Sequence, residues 1–191
     1  YALVYNGEIY NFVELRKNLE EKGIVCKTGS DTEVVLESIL AFGLKETLSW
    51  LEGMFAFALW DQNKKTLTFA VDRFGIKPFY YVQNEKYFIF SSEVKALRPW
   101  IDLSPDFATI SSYIQGFGGP TQGFTFFQDI QRLPTGTFGQ IAPGKSLQFS
   151  SYFPLTEFMD PEQWMEYSEK SERVLIDTLD ETLANSVQRH L

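Results

Sequence analysis

The feature that most constrains the fold is a stretch from Met54 to Trp60 that is apolar at every position. Large side chains at Phe55, Phe57 and Leu59 alternate with other apolar ones, which is the period-two pattern of a β-strand. Because successive side chains of a strand point to opposite faces, both faces of this strand are apolar and need cover. The stretch therefore predicts a sheet with a packing layer on each side.

Turn-forming residues divide the centre of the chain into antiparallel hairpins. Asp61–Lys65 and Gln83–Lys86 are polar turns between apolar runs, and Pro143-Gly144-Lys145 is a third turn signal. The predicted hairpins join residues 54–60 to 66–71, 79–82 to 87–90, and 136–142 to 146–152.

Helical patterns flank these hairpins. Asn11 and Ser30 are residue types that cap helix N-termini, and Ser30–Glu33 has the spacing of a capping box. Ile24–Lys27, which contains the single cysteine, is typical of a short strand with an inert core thiol. The predicted helices cover residues 11–22, 30–40, 44–51, 93–97 and 105–114, with a last helix carrying an apolar stripe of Ile176, Leu179, Leu183 and Val187.

Composition excludes several classes of partner. The chain is 44% hydrophobic, which is enough for a globular core, and its formal net charge is −8. No Lys/Arg cluster is present to bind nucleic acid or an anionic membrane surface. No apolar run is long enough to span a bilayer, so we expect a cytoplasmic protein with small-molecule or protein partners.

The two termini indicate that the sequence is cut at both ends. It opens at Tyr1 directly into an apolar strand, and it closes at Leu191 inside a helical pattern. Neither a helix stop nor a leading loop is present there, so we expect further chain on both sides.

The residues that carry most hydrolytic or metal chemistry are scarce. Cys26 is in a predicted strand and His190 is at the end of the last helix, so no Cys/His or Ser/His pair and no metal cluster is expected. The glycine-rich segment at residues 116–120 is not followed by the Gly-Lys-Ser/Thr of a phosphate-binding loop, and it is interpreted as an ordinary loop.

Asn6-Gly7, at the predicted end of the first strand, has two interpretations. The amide of Asn6 and the backbone N–H of Gly7 are neutral donors that could stabilise a developing oxyanion. The commoner meaning of Asn-Gly is a two-residue type I′ hairpin turn. The next apolar positions, Ile9 and Phe12, lead into a helix instead of a returning strand.

Two aspartates are similarly ambiguous. Asp31 could complement the dipole of the helix that it begins, which is the commoner role, or it could receive a ligand ammonium group. Asp72 and Arg73 form a candidate ion pair beside a turn at Gly75 and Pro78, for which a structural role is favoured over a partner contact.

Six segments occur in an order that resembles glutamine-hydrolysing asparagine synthetase: YNGEIYN, GSDTEV, GMFAFALWD, DRFGIKPFYY, SSEVKAL and QRLPTGTF. The resemblance covers almost the whole chain. It implies an α+β fold of the N-terminal-nucleophile hydrolase type, an αββα sandwich of antiparallel sheets flanked by helices, here incomplete. It also implies a partial class II glutamine amidotransferase domain at 1–153, a linker at 154–163 and the start of an ATP-pyrophosphatase synthetase domain at 164–191.

The resemblance also implies site roles. Asn6 and Gly7 would form the oxyanion hole for the amide carbonyl of glutamine, Glu8 would line the glutamine site through its backbone, and Asp31 would bind the substrate α-amino group. No residue here matches the family's N-terminal cysteine nucleophile or the arginine that binds the glutamine carboxylate. We therefore expect this segment to be inactive alone.

The implied reaction releases ammonia from glutamine for the amidation of aspartate to asparagine. ATP and Mg²⁺ would act in the following synthetase domain, and this segment itself would bind neither. Glutamine and that domain are the expected partners, and a homodimer is among the expected assemblies.

Two other functions stay open. One is a non-catalytic remnant that binds glutamine without hydrolysing it. The other is the amidotransferase part of an asparagine-synthetase-like enzyme with a different acceptor. An amidotransferase that serves purine or amino-sugar synthesis is disfavoured by the DRFGIKPFYY and LPTG segments.

Overall fold

The computed structural model describes residues 1–116, 118–120, 123–154 and 160–189. The elements in chain order are β1 (Ala2–Ile9), α1 (Phe12–Glu21), α2 (Asp31–Phe42), α3 (Leu44–Trp50), β2 (Gly53–Asp61), β3 (Thr66–Val71), β4 (Tyr80–Gln83), β5 (Phe88–Ser91), a 3-10 helix (Val94–Leu97), α4 (Phe107–Ile114), β6 (Gln131–Arg132), β7 (Thr137–Ile141), β8 (Gln148–Ser151), α5 (Pro161–Ser168) and α6 (Glu172–Arg189).

The strands form two antiparallel sheets. The larger sheet has the order β1-β2-β3-β7-β8, and the smaller has the order β5-β4-β6. The three predicted hairpins are confirmed, since β2 pairs with β3, β4 with β5 and β7 with β8.

The apolar strand β2 is covered on both faces, as its sequence predicts. Phe55, Phe57 and Leu59 pack into a core cluster with residues of α1 and α2. Ala56 and Ala58 belong to a second cluster, which joins the two sheets. Small residues on this side of β2 leave room for stacked rings between the sheets, with the Phe69 and Phe79 centroids 5.0 Å apart.

A third core cluster lies against the smaller sheet. It contains Val82 of β4, Leu97 of the 3-10 helix and Ile130, all nearly fully buried. The described residues therefore form four layers. The order is α1 and α2, the larger sheet, the smaller sheet, and an outer layer formed by the 3-10 helix and loops.

The strand predicted at Ile24–Lys27 is wrong. This segment is irregular, and Val25 is 76% exposed. The N–H of Ile24 still bonds to Leu19 at the end of α1, while the N–H groups of Lys27 and Thr28 donate to the carboxylate of Glu33. These groups have bonded locally and are not available to a neighbouring strand.

The predicted helix caps are partly right. Ser30 does cap α2, accepting from the N–H of Thr32 at 3.2 Å, but Glu33 bonds to Lys27 and Thr28 and so does not complete a capping box. Asn11 precedes α1 without a side-chain cap, because its amide bonds to the Trp50 carbonyl and to the Glu52 N–H.

The C-terminal part contains a helix that the sequence patterns missed. Asp160 caps α5 through the N–H of Glu162 at 2.9 Å, and Pro161 is at its first turn. The predicted linker 154–163 overlaps this helix at residues 161–163. Residues 155–159 of the linker lie outside the described residues, and so do Phe117 of the predicted loop and His190. The predicted stripe lies on α6, where its four residues are more than half exposed. The division into domains stays a prediction.

Candidate functional site at the free edge of β1

β1 is an outer strand of the larger sheet, so only one of its two edges is paired within the described strands. The peptide groups of successive residues in a strand point to opposite edges. The N–H of Tyr10 donates to the Glu52 carbonyl at 2.8 Å on the β2 side, whereas the N–H of Ile9 donates to Asp31 Oδ2 at 3.1 Å. The edge that Ile9 faces, opposite β2, is called the free edge.

The backbone N–H of Gly7 points to the free edge. Gly7 is two residues before Ile9 and therefore has the same orientation. Its partner across the ladder, Phe55, turns its carbonyl to β3, where it accepts from the N–H of Asp72 at 2.8 Å. Gly7 and Phe55 thus face each other as a pair without mutual hydrogen bonds.

Close approach of the two strands requires glycine at this position. A Cβ on Gly7 would lie 2.2 Å from the Met54 carbonyl oxygen and 2.6 Å from Phe55 Cα. The same holds in reverse at Gly53, where a Cβ would lie 2.2 Å from the Glu8 carbonyl oxygen. The absence of a Cβ at Gly7 and Gly53 therefore allows the backbones of β1 and β2 to approach closely.

Asn6-Gly7 is inside β1, which continues to Ile9, so the type I′ hairpin turn is excluded. The side chain of Asn6 is exposed on the face that looks to the smaller sheet, and its Nδ2 donates to Ser92 Oγ at 3.1 Å. Next to it is a cavity of about 240 Å³, whose lining includes Ala56, Phe79 and Ser92. One N–H of the amide is thereby oriented, and the second makes no hydrogen bond to the residues that the structure describes.

Asp31 lies at the free edge as the first residue of α2. Its Oδ2 accepts from the Tyr5 hydroxyl at 2.8 Å and from the Ile9 N–H at 3.1 Å. Its Oδ1 accepts from the hydroxyl of the adjacent Thr32 at 3.3 Å. The carboxylate is thus anchored to β1 through one oxygen, while the other keeps acceptor capacity.

Glu8 is exposed, and its carbonyl oxygen faces Gly53 on β2. Its peptide groups therefore point away from the free edge. The backbone contact with glutamine that the sequence resemblance implies for Glu8 stays a prediction.

Two neighbours of these groups were missed by the sequence reasoning, Tyr5 and Ser92. Ser92 is in the SSEVKAL segment, which was noted only as part of an ordered set of motifs. Tyr5 is partly buried, and burial together with its hydrogen bond to Asp31 raises the pKa of its hydroxyl. It therefore stays a proton donor throughout the physiological range.

Asp72 does not pair with Arg73, so the predicted ion pair is wrong. The carboxylate is 1% exposed and accepts four backbone N–H groups, from Phe55, Phe74, Ile76 and Lys77, at 2.9–3.2 Å. Arg73 instead donates to the Ser49 carbonyl and lies over the Phe153 ring. The structural role favoured for this segment is confirmed.

Cys26 is partly buried and packs against the helix-side core. Burial raises the pKa of its thiol. A higher pKa leaves less thiolate at neutral pH, which is the opposite of what an attacking cysteine needs.

Comparison with known proteins identifies the family. The profile of a family described as glutamine amidotransferase domain matches residues 1–153. This chain belongs to that family.

Similar full proteins carry the name asparagine synthetase (glutamine-hydrolyzing). Asparagine synthetase (glutamine-hydrolyzing) 1 of Bacillus subtilis strain 168 is 37% identical over 80% of this chain. Asparagine synthetase (glutamine-hydrolyzing) 3 of the same strain is 35% identical over 97% of it. A putative member from Mycobacterium bovis is 32% identical over the whole chain. The chain spans 24–29% of the length of these three relatives.

Solved structures confirm the predicted fold class. Glutamine phosphoribosylpyrophosphate amidotransferase from B. subtilis matches 79% of this chain and 29% of its own, with a TM-score of 0.57 at 22% identity. The fold is therefore the α+β fold of the N-terminal-nucleophile amidotransferases. Of the helices in the described ranges, none is both long and apolar enough to cross a membrane.

Proposed function

We propose that this chain is the glutamine-hydrolysing part of an asparagine synthetase, which binds glutamine at the free edge of β1. The family match and the relatives named above support the glutamine amidotransferase part. The further steps, ATP-dependent amidation of aspartate with Mg²⁺ in a synthetase domain and a cytoplasmic location, belong to the proposal. No part of the described chain is assigned to ATP or Mg²⁺.

One observation carries the glutamine site. The Gly7 N–H and the Asp31 carboxylate are both on the free edge, and Asp31 is bonded two residues along from Gly7, at Ile9. Two residues of a strand span about 6.8 Å. An extended glutamine fits this interval, since only three carbon atoms separate its amide carbonyl carbon from its α-nitrogen.

In this pose the donors face the reacting group. Attack of a thiolate on the amide carbonyl moves the π electrons onto oxygen, and the Gly7 N–H and the second N–H of Asn6 stabilise that oxyanion. The C–N bond then breaks, ammonia leaves with an added proton, and water releases glutamate from the thioester. Asp31 Oδ1 accepts a hydrogen bond from the α-ammonium throughout.

The attacking thiolate is assigned to a cysteine other than Cys26. Cys26 packs against the helix-side core, and burial raises the pKa of its thiol, so little of the attacking thiolate forms there at neutral pH. This chain accordingly supplies substrate binding and oxyanion stabilisation.

The test is Asn6→Ala in the full-length protein, with glutamine and then ammonia as the nitrogen source. Loss of one oxyanion donor should lower kcat for glutamine hydrolysis by about 10²- to 10³-fold. Synthesis from ammonia should be unchanged, because it bypasses the carbonyl chemistry. Asn63→Ala, at an exposed turn between β2 and β3, is the matched control and should leave both activities intact.

Two outcomes would contradict the proposal. If Asn6→Ala hydrolyses glutamine like the parent protein, Asn6 is not an oxyanion donor. If the full-length parent protein binds glutamine but does not hydrolyse it, the chain is a binding remnant and not part of an enzyme.

A further inference from the structure

The hydroxyl of Tyr5 donates a hydrogen bond of 2.8 Å to Asp31 Oδ2. Among the described residues, this is the shortest hydrogen bond to the Asp31 carboxylate. Tyr5 is in β1, immediately before the two proposed oxyanion donors, while Asp31 begins α2. No motif or comparison gives this tyrosine a role. Its position links the strand that would hold the reacting amide to the carboxylate that would hold the other end of the substrate.

The two oxygens of Asp31 are not equivalent. A carboxylate oxygen has two lone pairs, and both on Oδ2 are used, by the Tyr5 hydroxyl at 2.8 Å and the Ile9 N–H at 3.1 Å. Oδ1 receives one longer bond, from the Thr32 hydroxyl at 3.3 Å, among the bonds within the described ranges. An incoming ammonium therefore finds its acceptor at Oδ1.

We infer that Tyr5 is a positioning residue that fixes the Asp31 carboxylate with Oδ1 toward the substrate α-ammonium, and so sets the preference for ligands that carry this group. The inference rests on the proposed function. The torsion that rotates an aspartate carboxylate is broad. Without the Tyr5 hydroxyl, Oδ2 would keep only the Ile9 N–H and Oδ1 only the longer bond from Thr32, so the carboxylate could turn to a less favourable orientation.

The tyrosine is suited to this task over a wide pH range. Burial first, and then the hydrogen bond and charge of Asp31, raise the pKa of Tyr5. The hydroxyl thus keeps the proton that it donates. The other titratable groups whose charge acts on it are Glu8, in β1, and Tyr10, the residue after β1.

A purely structural role is the rival explanation, since the same bond fastens α2 to β1. The two explanations differ in what Tyr5→Phe does to different ligands. A positioning role affects only ligands with an α-ammonium group, whereas a looser α2 would affect all ligands and the stability of the protein.

The experiment compares glutamine with glutaramate, which is glutamine without its α-amino group, as substrates of the full-length protein. In Tyr5→Phe the KM for glutamine should rise about tenfold with kcat within twofold, as expected for a lost hydrogen bond to a charged group. The KM for glutaramate should be unchanged. In the Asp31→Asn background, Tyr5→Phe should add nothing further.

Tyr152→Phe is the matched control. Its partly buried hydroxyl also donates at 2.8 Å, but to the Val71 carbonyl of β3, away from Asn6 and Asp31. It should leave the ratio between glutamine and glutaramate unchanged.

The outcomes distinguish the role of Tyr5 from the existence of the glutamine site at Asp31. If Asp31→Asn lowers the preference for glutamine and Tyr5→Phe does not, the inference about Tyr5 is wrong while the glutamine site stands. Equal KM changes for both substrates in Tyr5→Phe would also overturn it, in favour of a structural role. If Asp31→Asn leaves the preference intact, the proposed site itself is wrong.

Discussion

Asp31 and Asp72 differ in how much of each carboxylate the protein uses. Asp72 is buried, and both of its oxygens accept two backbone N–H groups each. Asp31 is only partly buried at a strand edge, and its bonds are concentrated on Oδ2. Asp72 can accept little more, whereas Asp31 can still bind a cation.

This difference separates a structural carboxylate from a candidate binding carboxylate. Both residues had two interpretations in the sequence. A count of donors per oxygen distinguishes them, because a buried carboxylate must be satisfied by its own protein, while a binding carboxylate keeps capacity for its ligand.

The largest effect expected is the loss of stability in Asp72→Ala. Four N–H groups would lose their acceptor, that of Phe55 in a buried bond and the other three in partly buried ones. Since an unsatisfied buried group costs on the order of 1–3 kcal/mol, we expect a loss of about 3 kcal/mol or more. Thermal unfolding of the full-length protein measures it.

Asp61→Ala is the matched control for Asp72→Ala. Asp61 also accepts two backbone N–H groups, from Asn63 and Lys64, but at a solvent-exposed turn where water can replace it. Its effect should be much smaller. An Asp72→Ala protein that unfolds like the parent but no longer hydrolyses glutamine would make Asp72 a functional residue and remove the contrast with Asp31.

A smaller, functional effect is expected for Asp31→Asn. The asparagine oxygen can keep the bonds from Tyr5 and Ile9, but the amide then presents N–H₂ in place of Oδ1 to the ligand ammonium. Loss of a charged hydrogen bond of about 1.5–3 kcal/mol corresponds to a roughly ten- to hundredfold rise in KM for glutamine, with kcat little changed.

Steady-state kinetics with glutamine test this change, and Asp106→Asn is the control. Asp106 is also at the start of a helix, where it accepts the Thr109 N–H at 2.8 Å and caps α4. If Asp31→Asn alters only thermal stability, as a helix-start residue would, then Asp31 is as structural as Asp72.

Cys26→Ser is expected to leave the rate of glutamine hydrolysis unchanged, which is the smallest effect of the series. Cys26 is the single cysteine of the chain, and burial raises the pKa of its thiol. Glutamine hydrolysis by the full-length protein should continue at the parent rate. Abolished hydrolysis would identify Cys26 as the nucleophile and contradict its assignment to another cysteine.

The fold was largely predictable because its signals are local. The alternation in β2 required cover on both faces, and the turns at Asp61 and Gly144 defined two hairpins that the structure confirms. The predicted strand at Ile24–Lys27 failed because the carboxylate of Glu33, six residues from Lys27, competes for the Lys27 N–H. Such competition is not visible in a hydrophobic pattern.

The site was only partly predictable. Asn6, Gly7 and Asp31 were named from the sequence, but their relation depends on which edge of β1 each peptide group faces, and that is fixed by the pairing with β2. Tyr5 and Ser92 were missed because their contacts join residues 26 and 86 positions apart. Long-range contacts of this kind carry no local pattern.

The most direct test of the free-edge site is a crystal structure of the full-length Asn6→Ala protein with glutamine, because slow hydrolysis in this variant should preserve the substrate. The account predicts the α-ammonium within hydrogen-bonding distance of Asp31 Oδ1, about 2.7–3.2 Å. The side-chain carbonyl should face the Gly7 N–H. Glutamine bound elsewhere, or bound here with its α-ammonium turned away from Asp31, would contradict the account.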